Sequence, residues 1–332
     1  APRAPRAWRA PPRPPAGMGQ SCSSSDRCCG DGDGDRTVHF SKSPATGDDA
    51  VVEPADEERL HQAPALDAEA APDDRLLSYF ERELEELAEL SRSHERIPSG
   101  CSKFCFRTGA TYVGSWRNNA RHGFGRQTWT DGAQYEGQWE DNCAVGLGKF
   151  SHSDGDVFIG QWDKNMASGV GTYHHQGATS YKGEWRRDLQ DGHGVETWAE
   201  GARYEGSFKE GQKEGYGCYY WTDDSVYQGR WTDNVIDGAG AYTASDGRSF
   251  AGQWKESVIH GLGKYTWPGG REYRGAYVAD QKHGFGIFTW PDGRKYTKYV
   301  GYWANGKQSG AGTYTTKDGG TRAASPSQRR EG

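Results

Sequence analysis

The sequence predicts an all-β protein: an elongated, single-layer, twisted rod of stacked β-hairpins, preceded by a disordered segment and one short helix. Three observations carry this. From residue 101 onward the chain holds 12 Trp, 17 Tyr and 9 Phe, but only 17 Leu, Ile and Val together, so a core there is built from rings. Of the 48 Gly, 41 fall in the same stretch. One aromatic-x-Gly-x-aromatic pattern returns at a near-constant 23-residue step. Rings, glycines and a short fixed period together mean a repeated unit with tight turns.

The pattern occurs at Tyr112-Gly114-Trp116, Tyr135-Gly137-Trp139, Phe158-Gly160-Trp162, Tyr181-Gly183-Trp185 and Tyr204-Gly206-Phe208. It continues at Tyr227-Gly229-Trp231, Phe250-Gly252-Trp254, Tyr273-Gly275-Tyr277 and, after a step of 26, Tyr299-Gly301-Trp303. Eleven residues after each first aromatic comes a Gly-x-Gly, from Gly123/Gly125 to Gly310/Gly312. An aromatic follows in most copies, and Asp-Gly signals such as Asp131-Gly132 and Asp154-Gly155 close several units.

In a strand, residues i, i+2 and i+4 share a face. Tyr135, Gly137 and Trp139 therefore point one way, and Glu136 and Gln138 the other. The polar stretch between the halves, Arg117 to His122 in the first copy, reads as a hairpin with a longer loop. Glycine between two rings leaves room for a neighbouring ring to cross the backbone. One hairpin is unstable alone, whereas stacked hairpins bury a continuous aromatic ladder. Nine units at roughly 10 Å each make a twisted rod of roughly 85–90 Å.

These units resemble the MORN repeat (membrane occupation and recognition nexus), over about 112–321. The resemblance implies single-layer hairpin rods serving as scaffolds at membrane–cytoskeleton contacts, in cilia and at organelle junctions. It also implies association with phosphoinositide kinases in some members, and homodimers in others.

The acidic balance lies outside the array. Residues 1–17 carry four Arg and no acid, 18–72 carry 12 acids and 4 bases, and 101–321 carry 25 of each sign. Residues 1–72 have no hydrophobic periodicity and read as a disordered N-terminal region. Within it, Met18-Gly19-Gln20-Ser21-Cys22-Ser23 fits the myristoylation pattern, provided that translation starts at Met18. Gly19 would then take the first acyl chain, and Cys22, Cys28 and Cys29 are palmitoylation candidates. A second acyl group makes such an anchor stable. Residues 73–97 read as one amphipathic helix, with Leu76, Phe80, Leu84 and Leu87 as its stripe and Leu77 and Leu90 beside it. Its expected role is to cap the first repeat, the alternative being a partner-binding or coiled-coil helix. Residues 98–321 form the array, and 322–332 read as a flexible tail.

Catalytic and metal motifs fail on inspection. Gly301 to Gln308 nearly matches a P-loop, but Gln308 stands where Mg²⁺ needs Ser or Thr, and the glycines belong to the repeat. His122, His260 and His283 share one repeat slot too widely spaced for one metal. No cofactor and no catalytic residue is expected, and a net charge of −6 argues against nucleic acid. The absence of a signal peptide and of zinc spacing points to a reducing, cytoplasmic setting. Lys182, Arg186 and Arg187 are candidate contacts for a phospholipid headgroup, although acids interleave with them. The reading is a non-enzymatic scaffold that organises partner proteins at a membrane–cytoskeleton boundary. The alternatives are a phosphoinositide-binding module or kinase-regulatory part, and a radial-spoke-like ciliary component.

Overall fold

Paired left-handed residues mark where the chain reverses. Asn118 and Asn119 have φ of 52° and 61°, and Asp141 and Asn142 have 45° and 72°. Two such residues in succession make a type I′ turn, whose twist matches the strands it joins. The computed structural model describes residues 79–324 apart from 95, 99, 177–178 and 292–294. In it, β2 (Thr111–Arg117) and β3 (Ala120–Thr128) form the first repeat hairpin. The longer loop expected from Arg117 to His122 is thus only Asn118-Asn119. The polar residues around it lie on the strands, because a pleated strand open on one face accepts polar residues there.

Eight more hairpins follow, from β4 (Gln134–Glu140) and β5 (Cys143–Ser151) to β18 (Tyr296–Ala304) and β19 (Lys307–Thr316). The longer connections lie between repeats, where Trp129 N–H donates to the Ala133 carbonyl at 2.9 Å and Gly132 N–H to that of Trp129 at 3.1 Å. Here the Asp-Gly signals do turn the chain. Strands pair antiparallel with their sequence neighbours in one twenty-stranded sheet. At about 4.8 Å per strand it extends for about 90 Å. Two strands flank the nine repeat hairpins. β1 (Gly100–Cys105) pairs with β2, and β20 (Thr321–Ala324) pairs with β19, so 322–324 of the expected flexible tail belong to the sheet.

Burial alternates strictly along β4: Tyr135, Gly137 and Trp139 are buried and the residues between them exposed. Gly137 pairs with Gly148 across the hairpin. The Tyr135 ring lies over both, so close that a Cβ on Gly137 would sit 2.6 Å from its hydroxyl. The covering ring belongs to the hairpin itself and not, as expected, to a neighbour. Its hydroxyl donates to the Gln138 carbonyl at 3.1 Å, and burial pushes its pKa up. The seven tyrosines at this slot share the bond, while Phe158 and Phe250 do without it.

Neighbouring hairpins are joined by the second ring. Trp139 Nε1 donates to the Gly125 carbonyl of the preceding hairpin at 3.1 Å, and its ring meets Tyr112 edge-on at 5.6 Å. Trp162, Trp185 and Trp231 make the same bond in the third, fourth and sixth repeats. The turn residue completes the joint, since Asn142 Oδ1 accepts from Arg121 N–H at 2.8 Å and Asn142 N–H donates to the Arg121 carbonyl at 3.1 Å.

The helix differs from expectation. Its described part is a 3₁₀ turn, Tyr79–Glu81, followed by α1 (Leu84–Arg92), while Leu76 and Leu77 lie outside the described residues. Phe80 and Leu87 are buried as expected, but Leu84 is 47% exposed. The tighter 3₁₀ turn shifts the phase, so Phe80, Glu83 and Leu87 face the sheet and Leu84 faces away.

The close ring sets a prediction. Gly125→Ala drives a methyl into the Tyr112 ring and should cost at least about 2 kcal/mol. Gly132→Ala meets nothing within 4 Å and strains only its backbone, at φ +92°. It should cost about 1 kcal/mol, which denaturant titration of both variants would resolve.

Candidate binding faces of the rod

A single-layer sheet has two faces, and here they differ. The aromatic face is a row of ring cages, one per repeat. In the second repeat the cage comprises Trp129, Tyr135, Phe150 and Trp162. Phe80 fills it, with centroids 5.5–5.9 Å from those four rings. In the eighth repeat the equivalent rings are Trp267, Tyr273, Phe288 and Trp303. There the Lys282 ammonium takes the same place, 5.3–5.8 Å from the four centroids. The residue nine positions after the first aromatic decides the occupant. Lys282 reaches into its own cage, as do Lys213 and the buried Ile236 and Ile259. Ala144 in the second repeat is too small, and its cage receives Phe80 instead.

Glu83 fixes the same segment to the first repeat. It is buried, and its carboxylate accepts from Thr108 Oγ1 at 3.0 Å and Trp129 Nε1 at 3.1 Å. Burial raises its pKa, opposed by those bonds and by the nearby Arg121. Arg121 is itself fully buried over the Trp139 ring, bonded to Gln127 Oε1 at 3.1 Å and the Asn142 carbonyl at 2.9 Å. Desolvation lowers its guanidinium to about 10. The helix end is held by Asn119, which donates to the Leu90 carbonyl at 2.8 Å and accepts from Ile97 N–H at 2.9 Å. The helix therefore straps the aromatic face of the first repeats, while β1 covers their edge.

The outer face carries what sequence reasoning passed over. The residue between the paired glycines points outward in every repeat. In order these are Phe124, Leu147, Val170, His193, Tyr216, Ala239, Leu262, Phe285 and Ala311. The six large apolar members are 53–65% exposed. Ile159 and Tyr302 lie beside them, about half exposed. A shallow outer-face pocket of about 410 Å³ lies among Phe124, Glu136, Leu147, Lys149 and Ile159. Their signal in the sequence is a fixed offset, the position between the two glycines of each pair. The face is rigid at this point: Gln138 Oε1 accepts from Leu147 N–H at 3.2 Å, and Gln161 and Gln253 do the same for Val170 and Leu262.

The other expected sites fall as follows. Lys182 is exposed on the outer face, Arg186 is ion-paired with Asp191, and Arg187 sits in a hairpin turn at φ 51°. Gly19, Cys22, Cys28 and Cys29 lie outside the described residues. His122, His260 and His283 lie on strands, and among the described residues no three metal-binding side chains come together. The near P-loop is a hairpin, with Gly301 paired to Gly312. Among the described residues no helix is long and apolar enough to cross a membrane.

Each hairpin of this geometry has a counterpart in a known family. The family model for the MORN repeat matches nine segments, 112–134, 135–157, 158–176, 181–203, 204–226, 227–247, 250–270, 273–293 and 299–321. The chain belongs to the MORN-repeat family. No curated protein sequence matches it. Among solved structures it is similar to the G-box domain of the microcephaly protein CPAP, at 15% identity and TM-score 0.34, covering 62% of this chain and all of that one. The TCP10 domain of Danio rerio CPAP matches at 10% identity and TM-score 0.35, covering 67% and 96%. The SAS-4 TCP domain of Drosophila melanogaster, in complex with a proline-rich motif of Ana2, matches at 10% and 0.30, covering 56% and 97%. Scores this low carry no functional argument.

The MORN rod's aromatic face generates two predictions. Phe80→Ala empties the second cage and should cost about 3 kcal/mol. Ala144→Lys should fill that cage from within, as Lys282 does, and expel the strap. In both variants trypsin should cut after Arg82 and Arg92 far faster than in the parent, while the array resists. The second prediction concerns Asp188, which stands where Asn142 and Asn165 stand in their turns. It is buried, with Oδ1 accepting from Ala167 N–H at 2.6 Å, and burial raises its pKa to about 7. A carboxyl raised on folding supports the fold only while protonated, so its contribution is lost as pH rises from about 4 through about 7. Asp188→Asn should raise Tm by several degrees above pH 8 and leave it unchanged near pH 4, as scanning calorimetry would show.

Proposed function

We propose that the chain is a non-enzymatic scaffold, a rod that presents repeated surfaces to partner proteins at a membrane–cytoskeleton boundary. The observation that carries this reading is the outer face. An uninterrupted sheet exposes large apolar side chains at a fixed period, and exposed apolar patches of this kind mark interaction surfaces. The family match supports it, since MORN-repeat proteins are generally non-catalytic and the match names no enzymatic domain.

Rigidity suits the role. A stacked ladder holds sites a fixed distance apart, roughly 10 Å per repeat, so that partners bound along it are kept in order. Arg121, Phe80, Lys213, Ile236, Ile259 and Lys282 cover the aromatic face in six of the nine repeats, whereas the outer face is open along the array. Attachment to a membrane would come from the N-terminal segment, through acylation of Gly19 with Cys22, Cys28 or Cys29. Two acyl chains hold a protein stably where one does not.

Deleting residues 18–72 should leave the rod folded, judged by an unchanged thermal transition, and move the protein from the membrane fraction to the supernatant of lysed cells. Unchanged membrane recovery of the truncated chain would refute the tether.

A further inference from the structure

Read backward along the chain, the N-terminal strap crosses the first repeats in order. Ile97 and Leu90 are bonded to Asn119 in the first hairpin, and Phe80 lies in the ring cage of the second repeat. Tyr79 has already moved past that cage. Its ring lies 5.1 and 5.4 Å from Trp129 and Phe150, and it meets His152 edge-on at 5.1 Å. His152 stands one repeat after Trp129, so it belongs to the cage of the third repeat, with Phe158, Tyr173 and Trp185. The Trp185 ring is 5.1 Å from Phe158 and 6.3 Å from Tyr173. Two features set this cage apart. Its own filler is Ala167: among the nine repeats only Ala144 and Ala167 are small at this slot, and the other seven carry Arg, Gln, Lys or Ile. Trp185 is also the one second aromatic of the nine that is only half-buried. The two short fillers are in adjacent repeats, and both lie on the path of the strap.

We propose that the chain before Tyr79 continues along the aromatic face and sets the Leu76-Leu77 pair in the ring cage of the third repeat. The length fits. Leu77 stands three residues before Phe80, and three extended residues at about 3.3 Å each span about 10 Å, the spacing of one repeat. The chemistry fits as well. Ile236 and Ile259 are buried at the same slot of their own repeats, so an aliphatic side chain suits the space between the rings. Asp73, Asp74 and Arg75 end the apolar run just before the pair, where the chain leaves the rod. With this contact the strap reaches over three repeats. The first cage is filled by Arg121 from within, and the next two are filled from outside the array. Residues 1–72 then depart from the third repeat and not from the end of the rod. The inference goes beyond the scaffold reading, which rests on the outer face, and neither depends on the other.

Limited trypsin digestion of the full chain tests the proposal at the bond between Arg75 and Leu76. Ala167→Ile gives the third cage the filler that the sixth and seventh repeats have, and it leaves the sequence around Arg75 unchanged. In that variant cleavage after Arg75 should be at least about tenfold faster than in the parent, because the pair is released from the cage. Cleavage after Arg82 and Arg92 should keep the parent's rate, because Phe80 and Leu87 stay in place. An equal rate after Arg75 in both chains would overturn the proposal, as would a parent cut there as fast as after Arg36 and Arg59. Leu77→Ala gives a reading that does not depend on the folding of Ala167→Ile. It should lower Tm by several degrees in the parent and leave it nearly unchanged in Ala167→Ile, where the contact is already gone. An unchanged Tm on Leu77→Ala in the parent would put Leu77 in solvent and contradict the contact.

Discussion

The structure depends on one contact, a tyrosine or phenylalanine ring laid flat over two glycines that face each other across a hairpin. A side chain on either glycine would occupy the space of the ring. The ring in turn supplies the buried surface that a two-stranded hairpin otherwise lacks. Everything else in the repeat serves this contact. The type I′ turn brings the two glycines into register across a shift in strand pairing, and Gln138, Gln161 and Gln253 each accept a backbone N–H beside it. Because the unit closes on itself within one hairpin, the sequence can repeat it without a globular core.

Closure within the hairpin leaves the problem of joining hairpins, and the second aromatic solves it. Its ring edge meets the earlier tyrosine or phenylalanine, and in the second, third, fourth and sixth repeats its indole also donates to a glycine carbonyl one hairpin back. The turn asparagine adds two backbone bonds at the other end of the joint. The ladder is therefore covered on one face by rings and, in most repeats, by a residue that lies among them. The size of that residue matters: where it is Ala144, the cage takes a ring from outside the array, and the N-terminal strap is built on that opening. The opposite face needs no cover to be stable. Its composition is free to serve contact with other molecules, which is why large apolar side chains persist there in water.

Much of this was legible in the sequence. The 23-residue period, the ring-bearing strands and the one-layer hairpin rod follow from the alternation of a strand and the positions of glycine alone. Loop length is not legible from polarity, because a strand with only one buried face carries polar residues as a loop does. The consecutive turn-forming pair Asn118-Asn119 was the better signal. β1 and β20 escaped notice because neither carries the aromatic-Gly-aromatic signature. They pair through backbone bonds that any sequence can make. Leu84 was misplaced by assuming an unbroken helical period through the 3₁₀ turn. Glu83 was passed over as one acid among several, since nothing local distinguishes a carboxylate that reaches Trp129, 46 residues away. The outer stripe is present in the sequence as a regular offset, but its residues vary from Ala to Phe, so no single residue type marks it.

The central claim is that the ring-on-glycine ladder, and not the strap, holds the rod together. Native-state hydrogen exchange on the full chain tests it most directly. If the ladder carries the stability, the glycine amides of the paired strands are strongly protected in every repeat from the second to the eighth, at similar levels with and without the Phe80 contact. If protection is confined to the first three repeats and disappears with Phe80→Ala, the strap organises the array and the ladder does not hold the rod.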